Sequence, residues 1–351
     1  MMFERIAPEQ HDTLDGIPEP AENPVLVGHR EAGDALVAAY RAGKLPHALL
    51  FVGPQGIGKA TLAFHLANHL LSHVDHERSP AHLVAPDPGS ALFRQIANGA
   101  HPSVLHLTRP ANEKTKSYKS AVTVDEIRKV SRFLSLTSHD GGYRIVIVDP
   151  ADDMNVNAAN ALLKNLEEPP ARTLFILIAH SLGRLLPTIR SRCQIVRLAP
   201  LSDDDVLRVL QSFDTGLPDS EADRAALIAN AAGSPRTAIL LTQYGGLEIA
   251  GAFDQLLREA RIPISDAHRL ADAVAGRDHA IAFGLLNDHA LETLASAAND
   301  AALQGDIERA ERFSQAWQDL RIAISEADTY NLDRKQHALN MIFRLHDTLR
   351  M

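Results

Sequence analysis

"LLFVGPQGIGKATLAFHLANHL", residues 49–70, passes from four apolar residues through a glycine-rich turn into a helical run. Leu49 to Val52 read as a buried strand, so Gly53, Gly56 and Gly58 fall in a strand-to-helix turn. In that context glycines let backbone N–H groups converge on phosphate oxygens, and Lys59 reaches the outer phosphates. The position after the lysine normally offers a hydroxyl to Mg²⁺, but Ala60 has no oxygen to give. Thr61 stands one residue late, and because neighbours on a helix diverge by about 100° it points away from where that hydroxyl belongs. It stays in the candidate nucleotide set beside Gly53, Gly56, Gly58 and Lys59.

The same alternation continues outward. "VTVDEIRKVSRFLSL" (122–136) reads as a helix, "DGGY" (140–143) as a turn and "RIVIVD" (144–149) as a continuously apolar strand of the kind buried in parallel sheets. "NAANALLKNLEEPP" is a helix stopped by Pro169 and Pro170, and "TLFILIAHS" and "QIVRLAP" supply two further strands. Strands alternating with helices to about residue 200 predict a parallel sheet covered by helices on both faces. Upstream, the first 25 residues are polar and proline-spotted and are expected to form a loosely held arm. Between the loop and the second strand, residues 73–103 hold four prolines and many histidines, which predicts an irregular surface excursion. From Leu201 onward only helical patterns follow, and Phe283, Leu286, Ala290 and Leu294 share one face of a longer helix.

The totals restrict the possibilities. A chain of 351 residues suits about two or three domains. Its 35 Lys plus Arg against 44 Asp plus Glu leave a net charge of −9, so it lacks the field of an autonomous nucleic-acid binder. The single Cys193 excludes an internal disulfide framework and fits a reducing cytosol. No apolar run approaches the roughly 20 residues that span a membrane, and the N-terminus has no apolar signal core, so a cytoplasmic protein is expected.

Further candidates flank the loop. Asp149 ends the second strand, placed to hold Mg²⁺ directly or through water. Its successor in an active ATPase of this kind would be an acid that orients water; here it is Pro150, which cannot act as a base. Asp152 and Asp153 read as caps of the following helix. Glu167 and Glu168, at a helix end before two prolines, read as solvated. Arg190 and Arg192 in "TIRSRCQ" are, on spacing alone, surface charges or salt-bridge partners. His73, His76 and His82 lack thiolate or clear carboxylate partners, so no zinc is expected.

Together, "LPHALLFVGPQGIGKAT", "RIVIVDPADDMNVNAANALLKNLEEPP", "LLPTIRSRCQ" and "GSPR" resemble the delta-prime subunits of bacterial DNA polymerase III clamp loaders, within the AAA+ family. The resemblance spans about residues 24–240, and "NLDRKQHALNMIF" near the end is similar too. It implies an α/β AAA+ module, a parallel sheet covered by helices with a small helical lid, followed by an all-helical collar. The corresponding division is an arm at 1–24, the nucleotide-binding domain at 25–200, the lid at 201–245 and the collar at 246–351. Implied partners are gamma/tau and delta in a ring of five subunits, with the sliding clamp and primer-template DNA met through that complex; no membrane is involved. Arg192, in the Ser191-Arg192-Cys193 motif, matches an arginine supplied in trans to a neighbour's ATP, and Arg236, in Gly233-Ser234-Pro235-Arg236, one that senses nucleotide in cis. Implied ligands are ATP or ADP with Mg²⁺.

The departures point one way. Ala60 and Pro150 disagree with a motor subunit, Ala179 and His180 stand where motors carry a polar strand-end sensor, and the four-cysteine zinc module of many relatives is absent. The expectation is a non-motor subunit of the polymerase III holoenzyme, with weak or no ATP hydrolysis and no polymerase chemistry of its own. The rivals are the ATP-hydrolysing gamma/tau-like motor, which Ala60 and Pro150 oppose, and a small-molecule kinase, for which no acceptor-binding residues are found.

Overall fold

The structure is a computed structural model that describes residues 4–112, 118–135, 142–213, 215–276, 279–330 and 332–350. The chain divides into two compact units, Met1–Asp214 with Ala232–Arg236, and Thr215–Ala231 with Thr237–Met351.

In the first unit the apolar runs become β1 (Ala48–Val52), β2 (Val104–Leu107), β3 (Arg144–Val148), β4 (Thr173–Ala179) and β5 (Gln194–Arg197). All pair in parallel, in the order β2-β3-β4-β1-β5. The register runs from Ala48 opposite Phe175 to Val52 opposite Ala179, and from Arg144 opposite Thr173 to Val148 opposite Leu177. β1 and β4 are buried along their whole length, which is why they carry no polar alternation. Their side chains still sort by a period of two. Leu50, Val52, Val146, Val148, Phe175 and Leu177 pack with α4 (Val124–Ser135) and α5 (Val156–Glu167) on one face. Leu49, Phe51, Ile145, Ile147, Leu174 and Ile176 pack with α1 (Arg30–Arg41), α2 (Lys59–Ser72) and α3 (Ala91–Ala97) on the other. Each such side chain contributes about 1.5–3 kcal/mol of transfer free energy, so truncating Leu50 to Ala costs about 2–5 kcal/mol once the cavity is counted. This is the expected fold class, a parallel sheet sandwiched by helices. α6 (Pro187–Arg190) precedes β5, and α7 (Asp203–Ser212) follows it, capped by the Ser202 side chain on Asp205 N.

Three local expectations need correction. The arm is not loosely held: Ala7, Leu14 and Ala21 are buried, and so are Glu19 and Glu22. Glu22 Oε2 accepts from Ile6 N and Ala7 N at 2.7 and 2.9 Å, its Oε1 accepts from Glu19 N, and Arg5 Nη1 donates to Glu19 Oε1 at 2.8 Å. The polar residues that suggested disorder satisfy one another instead. The 73–103 excursion is irregular only in part. It contains α3, capped by Ser90 and anchored by buried Phe93 and Ile96, and β2 follows it directly. Asp152 and Asp153 do not cap α5; Asn155 does, its side chain accepting from Ala158 N at 2.9 Å. The start of the turn foreseen at 140–143 (residues 140–141) lies outside the described residues.

The second unit is helical: α8 (Glu221–Ala231), α9 (Pro235–Gln243, whose first two residues belong to the first unit), α10 (Gly246–Arg258), α11 (Ile264–Ala275), α12 (Ala280–Leu303), α13 (Ile307–Tyr330) and α14 (Arg334–Arg350). Phe283, Leu286, Ala290 and Leu294 do face its core, joined by Phe253, Val274, Met341 and Leu345. Among the described residues no helix is long and apolar enough to cross a membrane.

Candidate functional site

The loop after β1 is shaped by its glycines. Gly56 (φ +76°) and Gly58 (φ +97°) take left-handed conformations that turn successive N–H groups to one side, the concave nest that suits phosphate oxygens. Gly56 also has no room for a side chain, because a Cβ there would run into Ser234 Oγ and Arg236 Cβ. The Gly233–Arg236 motif therefore lies directly on the loop, with Ser234 Oγ donating to Gln55 O at 2.9 Å and Arg236 N to Gly56 O at 3.4 Å. From the other side His29 Nε2 donates to Ile57 O at 2.6 Å. Lys59 is 3 % exposed and folded back into the loop, its Nζ donating to Gly53 O at 2.7 Å and to Pro54 O. Burial pushes its ammonium down to about 8 against the pull of Asp149 and Asp152. Ala60, in the first turn of α2, packs against the apolar core on that face of the sheet, and Thr61 is buried within α2.

Polar groups gather where β2, β3 and β4 end. Asp149 follows β3, its N–H donating to Leu107 O, and burial pushes its carboxyl up to about 7, with Asp12 adding to the rise and Lys59 opposing it. Asp152 Oδ2 accepts from His180 N and Ser181 N at 3.2 Å, while its Oδ1 finds no hydrogen-bond partner among the described residues. Asp153 accepts from Arg109 Nε at 2.7 Å and has Arg184 at 3.7 Å. Burial lowers His106 and His180 to about 4, so both imidazoles are neutral at pH 7. Lys59, Asp149 and Arg236, which the sequence separates widely, are thus assembled at one end of the sheet. Four residues were missed: His11, Asp12, His106 and Arg109. The first two lie on the arm, and His106 lies within, and Arg109 just after, a strand that the proline and histidine pattern concealed.

Arg192 stands apart from this cluster. α6 ends at Arg190, whose Nη1 reaches Leu182 O at 3.5 Å, and Ser191 closes the helix. Arg192 Nη1 then donates to Thr188 O at 2.8 Å, and its Nη2 lies 2.5 Å from Glu167 Oε1, with the two side chains 34 % and 48 % exposed. Glu167 is therefore paired rather than simply solvated, while Glu168 is exposed. Cys193 is half-buried and its thiol is pushed up to about 11 by burial, which makes it a poor nucleophile.

The residues fit a phosphate group better than a metal. The nest and Lys59 suit phosphate oxygens, but a Mg²⁺ accompanying them would find Asp149 without the hydroxyl that Ala60 lacks. The loop histidines are engaged singly: His73 Nδ1 donates to His69 O, His76 Nδ1 to Arg41 O, and His82 Nδ1 meets Asp34 Oδ2 at 2.9 Å. Among the described residues no group of three or more His, Cys, Asp or Glu is arranged to hold a metal ion.

A family model described as DNA polymerase III, delta subunit matches residues 28–202. The delta-prime subunit of DNA polymerase III from Pseudomonas aeruginosa is 40 % identical over 200 residues, 57 % of this chain and 56 % of the relative. That from Escherichia coli is 34 % identical over 242 residues, 69 % of this chain and 67 % of the relative. The chain thus spans little more than half the length of the first and two thirds of the second. The gamma subunit from Buchnera aphidicola subsp. Schizaphis graminum is 27 % identical over 221 residues, 62 % of this chain and 57 % of that protein. On this similarity, and on the parallel sheet that carries the loop, the chain belongs to the DNA polymerase III delta-prime subunit family.

Proposed function

We propose that the chain is a non-motor clamp-loader subunit of DNA polymerase III, acting in the cytoplasm within a ring that also holds gamma/tau and delta subunits. Its own loop retains the geometry for ATP or ADP, held by Gly53, Gly56, Gly58, Lys59, Thr61, Asp149 and Arg236, and contributes little or no hydrolysis. Its catalytic contribution is Arg192, delivered to ATP on a neighbour, where a guanidinium stabilises the charge that develops on the transferred phosphoryl oxygens. Sliding clamp and primer-template DNA are met through the complex, and residues 246–351 form the assembling collar.

One contrast carries this reading. Around the loop, the positions that should offer a metal-binding hydroxyl and a water-orienting acid hold Ala60 and Pro150, while an arginine in a Ser-Arg-Cys motif stays half-exposed. The motor reading, gamma/tau-like, is disfavoured by the same two residues and by the lower identity to a gamma subunit than to two delta-prime subunits.

The test pairs two measurements on Arg192→Ala. Thermal unfolding of the isolated subunit should shift little, and DNA-stimulated ATP turnover of the rebuilt complex should fall. Unchanged turnover with a destabilised subunit would make Arg192 a structural ion-pair partner only. The isolated wild-type chain should turn over far below about 1 s⁻¹, the lower end for ordinary phosphotransfer enzymes. A chain ending near Gly245 should fail to enter the complex; unchanged affinity would sink the collar assignment.

A further inference from the structure

The two cations of the phosphate site face oxygens of the chain itself. Lys59 Nζ is taken by the Gly53 and Pro54 carbonyls. Arg236 Nη1 faces Asp12 Oδ2 at 3.5 Å, in a pair that is 24 % and 34 % exposed. Asp12 is carried by the Gln10–Thr13 turn, closed by Gln10 N donating to Thr13 Oγ1 at 2.7 Å and by Thr13 N to Gln10 O. The turn is tied to the buried Glu19 carboxylate, whose Oε1 accepts from Thr13 Oγ1, and Tyr118 Oη donates to Glu9 O at 2.9 Å. The charge of Asp12 is felt well inside the site, where it adds to the rise of Asp149 and acts on His106 and His180. The neighbouring His11 lies within the fields of Arg109, Asp153 and Arg236. Its Nδ1, the Nε2 of His106 and the Nδ1 of His180 have no hydrogen-bond partner among the described residues. A carboxylate presented by a rigid turn to the sensor arginine, amid unpaired polar atoms, stands where a nucleotide phosphate has its electrostatic partners.

We infer that the N-terminal arm is a plug built into the nucleotide site: Asp12 holds Arg236 in place of a nucleotide phosphate, so arm and nucleotide compete. Removing Asp12 leaves Arg236 free for the phosphates, and binding nucleotide to the intact chain first expels the turn that carries Asp12. Apparent affinity is then the intrinsic affinity scaled by the fraction of molecules with the arm out. The inference rests on the Gly53–Lys59 loop retaining affinity for phosphates, and it does not depend on the trans role of Arg192.

The experiment titrates the full chain with ADP and with ATP, each with Mg²⁺, by calorimetry. An arm that is in place nine-tenths of the time or more makes Asp12→Ala bind at least about tenfold more tightly than wild type, and Asp12→Ala combined with Arg236→Ala loses that gain. In the wild-type chain, which raises no question of folding, saturating nucleotide should accelerate hydrogen exchange at the Gln10 and Thr13 amides. Equal affinities for wild type and a folded Asp12→Ala, or no binding by either at millimolar nucleotide, overturns the plug. So does unchanged exchange at full occupancy. Each of these leaves Arg192 to be judged separately, by turnover in the rebuilt complex.

Discussion

Two arginines divide this molecule. Arg236 lies over the phosphate loop, packed so closely on Gly56 that no side chain fits beneath it, and its charge is met by an aspartate of the arm. Arg192 lies at the end of α6, held by Glu167 and a backbone carbonyl, with a third of its side chain in solvent. The first belongs to an enclosed site whose ionisable groups are shifted by burial, as at Lys59 and Asp149. The second is held by one backbone carbonyl and an ion pair that, being this exposed, is worth about 0.2–1 kcal/mol. A site that has closed over its own charges and a surface arginine held by a weak latch are the contrast on which the proposed function rests, little hydrolysis in cis and a contribution in trans.

The sharpest way to break the comparison is to remove the exposed arginine. Arg192→Ala should lower turnover at its interface by about 10³-fold or more, the range seen when such arginines are withdrawn from other NTPases. Arg192→Lys should recover only part of this, since a compact ammonium does not reproduce the planar fork. Equal turnover in wild type, alanine and lysine complexes would mean that Arg192, like Arg236, serves only its own subunit.

Part of this contrast was legible in the sequence and part was not, for physical reasons. β1, β3 and β4 are buried on both faces, so their uninterrupted apolar runs announced the parallel sheet, and the glycines between β1 and α2 announced the loop. β2 escaped notice because it is a short edge strand that includes His106. α3 escaped because seven residues give barely two turns in which to show a period. The order of the arm could not be seen at all, since it depends on Glu19 and Glu22 meeting Arg5 and backbone amides, contacts that no local pattern encodes. Asp12 and Arg236 come from opposite ends of the first unit, so their pairing is a product of folding alone.

The enclosed side of the comparison predicts a pH dependence. Asp149 is held at about 7, above the usual carboxylate value of 3.8, so between those limits the folded chain binds more protons than the unfolded one. Stability from this group is complete below about 3.8 and is lost as pH rises through 7. The amide introduced by Asp149→Asn mimics the protonated acid at every pH. Denaturation at pH 5, 6, 7 and 8 should therefore show the variant gaining on wild type by about 2 kcal/mol across the series. The depressed histidines act in the opposite direction at acid pH, but they are common to both chains and cancel in the difference. A difference independent of pH would mean that Asp149 is an ordinary, ionised carboxylate, and that the loop is less enclosed than its packing implies.

The smallest effect tests the latch itself. Glu167→Ala removes the carboxylate that competes for Arg192 and leaves the Thr188 carbonyl contact in place. For the isolated subunit the expected loss of stability is under about 1 kcal/mol, since both side chains are substantially exposed and the pair is screened by solvent. For the rebuilt complex the same 0.2–1 kcal/mol, no longer spent on holding the arginine back, should raise turnover by up to about fivefold, and the gain should shrink in high salt. If Glu167 instead steered Arg192 towards its target, the alanine variant would lose turnover, and combining it with Arg192→Ala would add no further loss. Turnover that falls in Glu167→Ala would thus convert the glutamate from a restraint into a positioning residue, while turnover that rises would show that the arginine is stored at the surface and released on assembly.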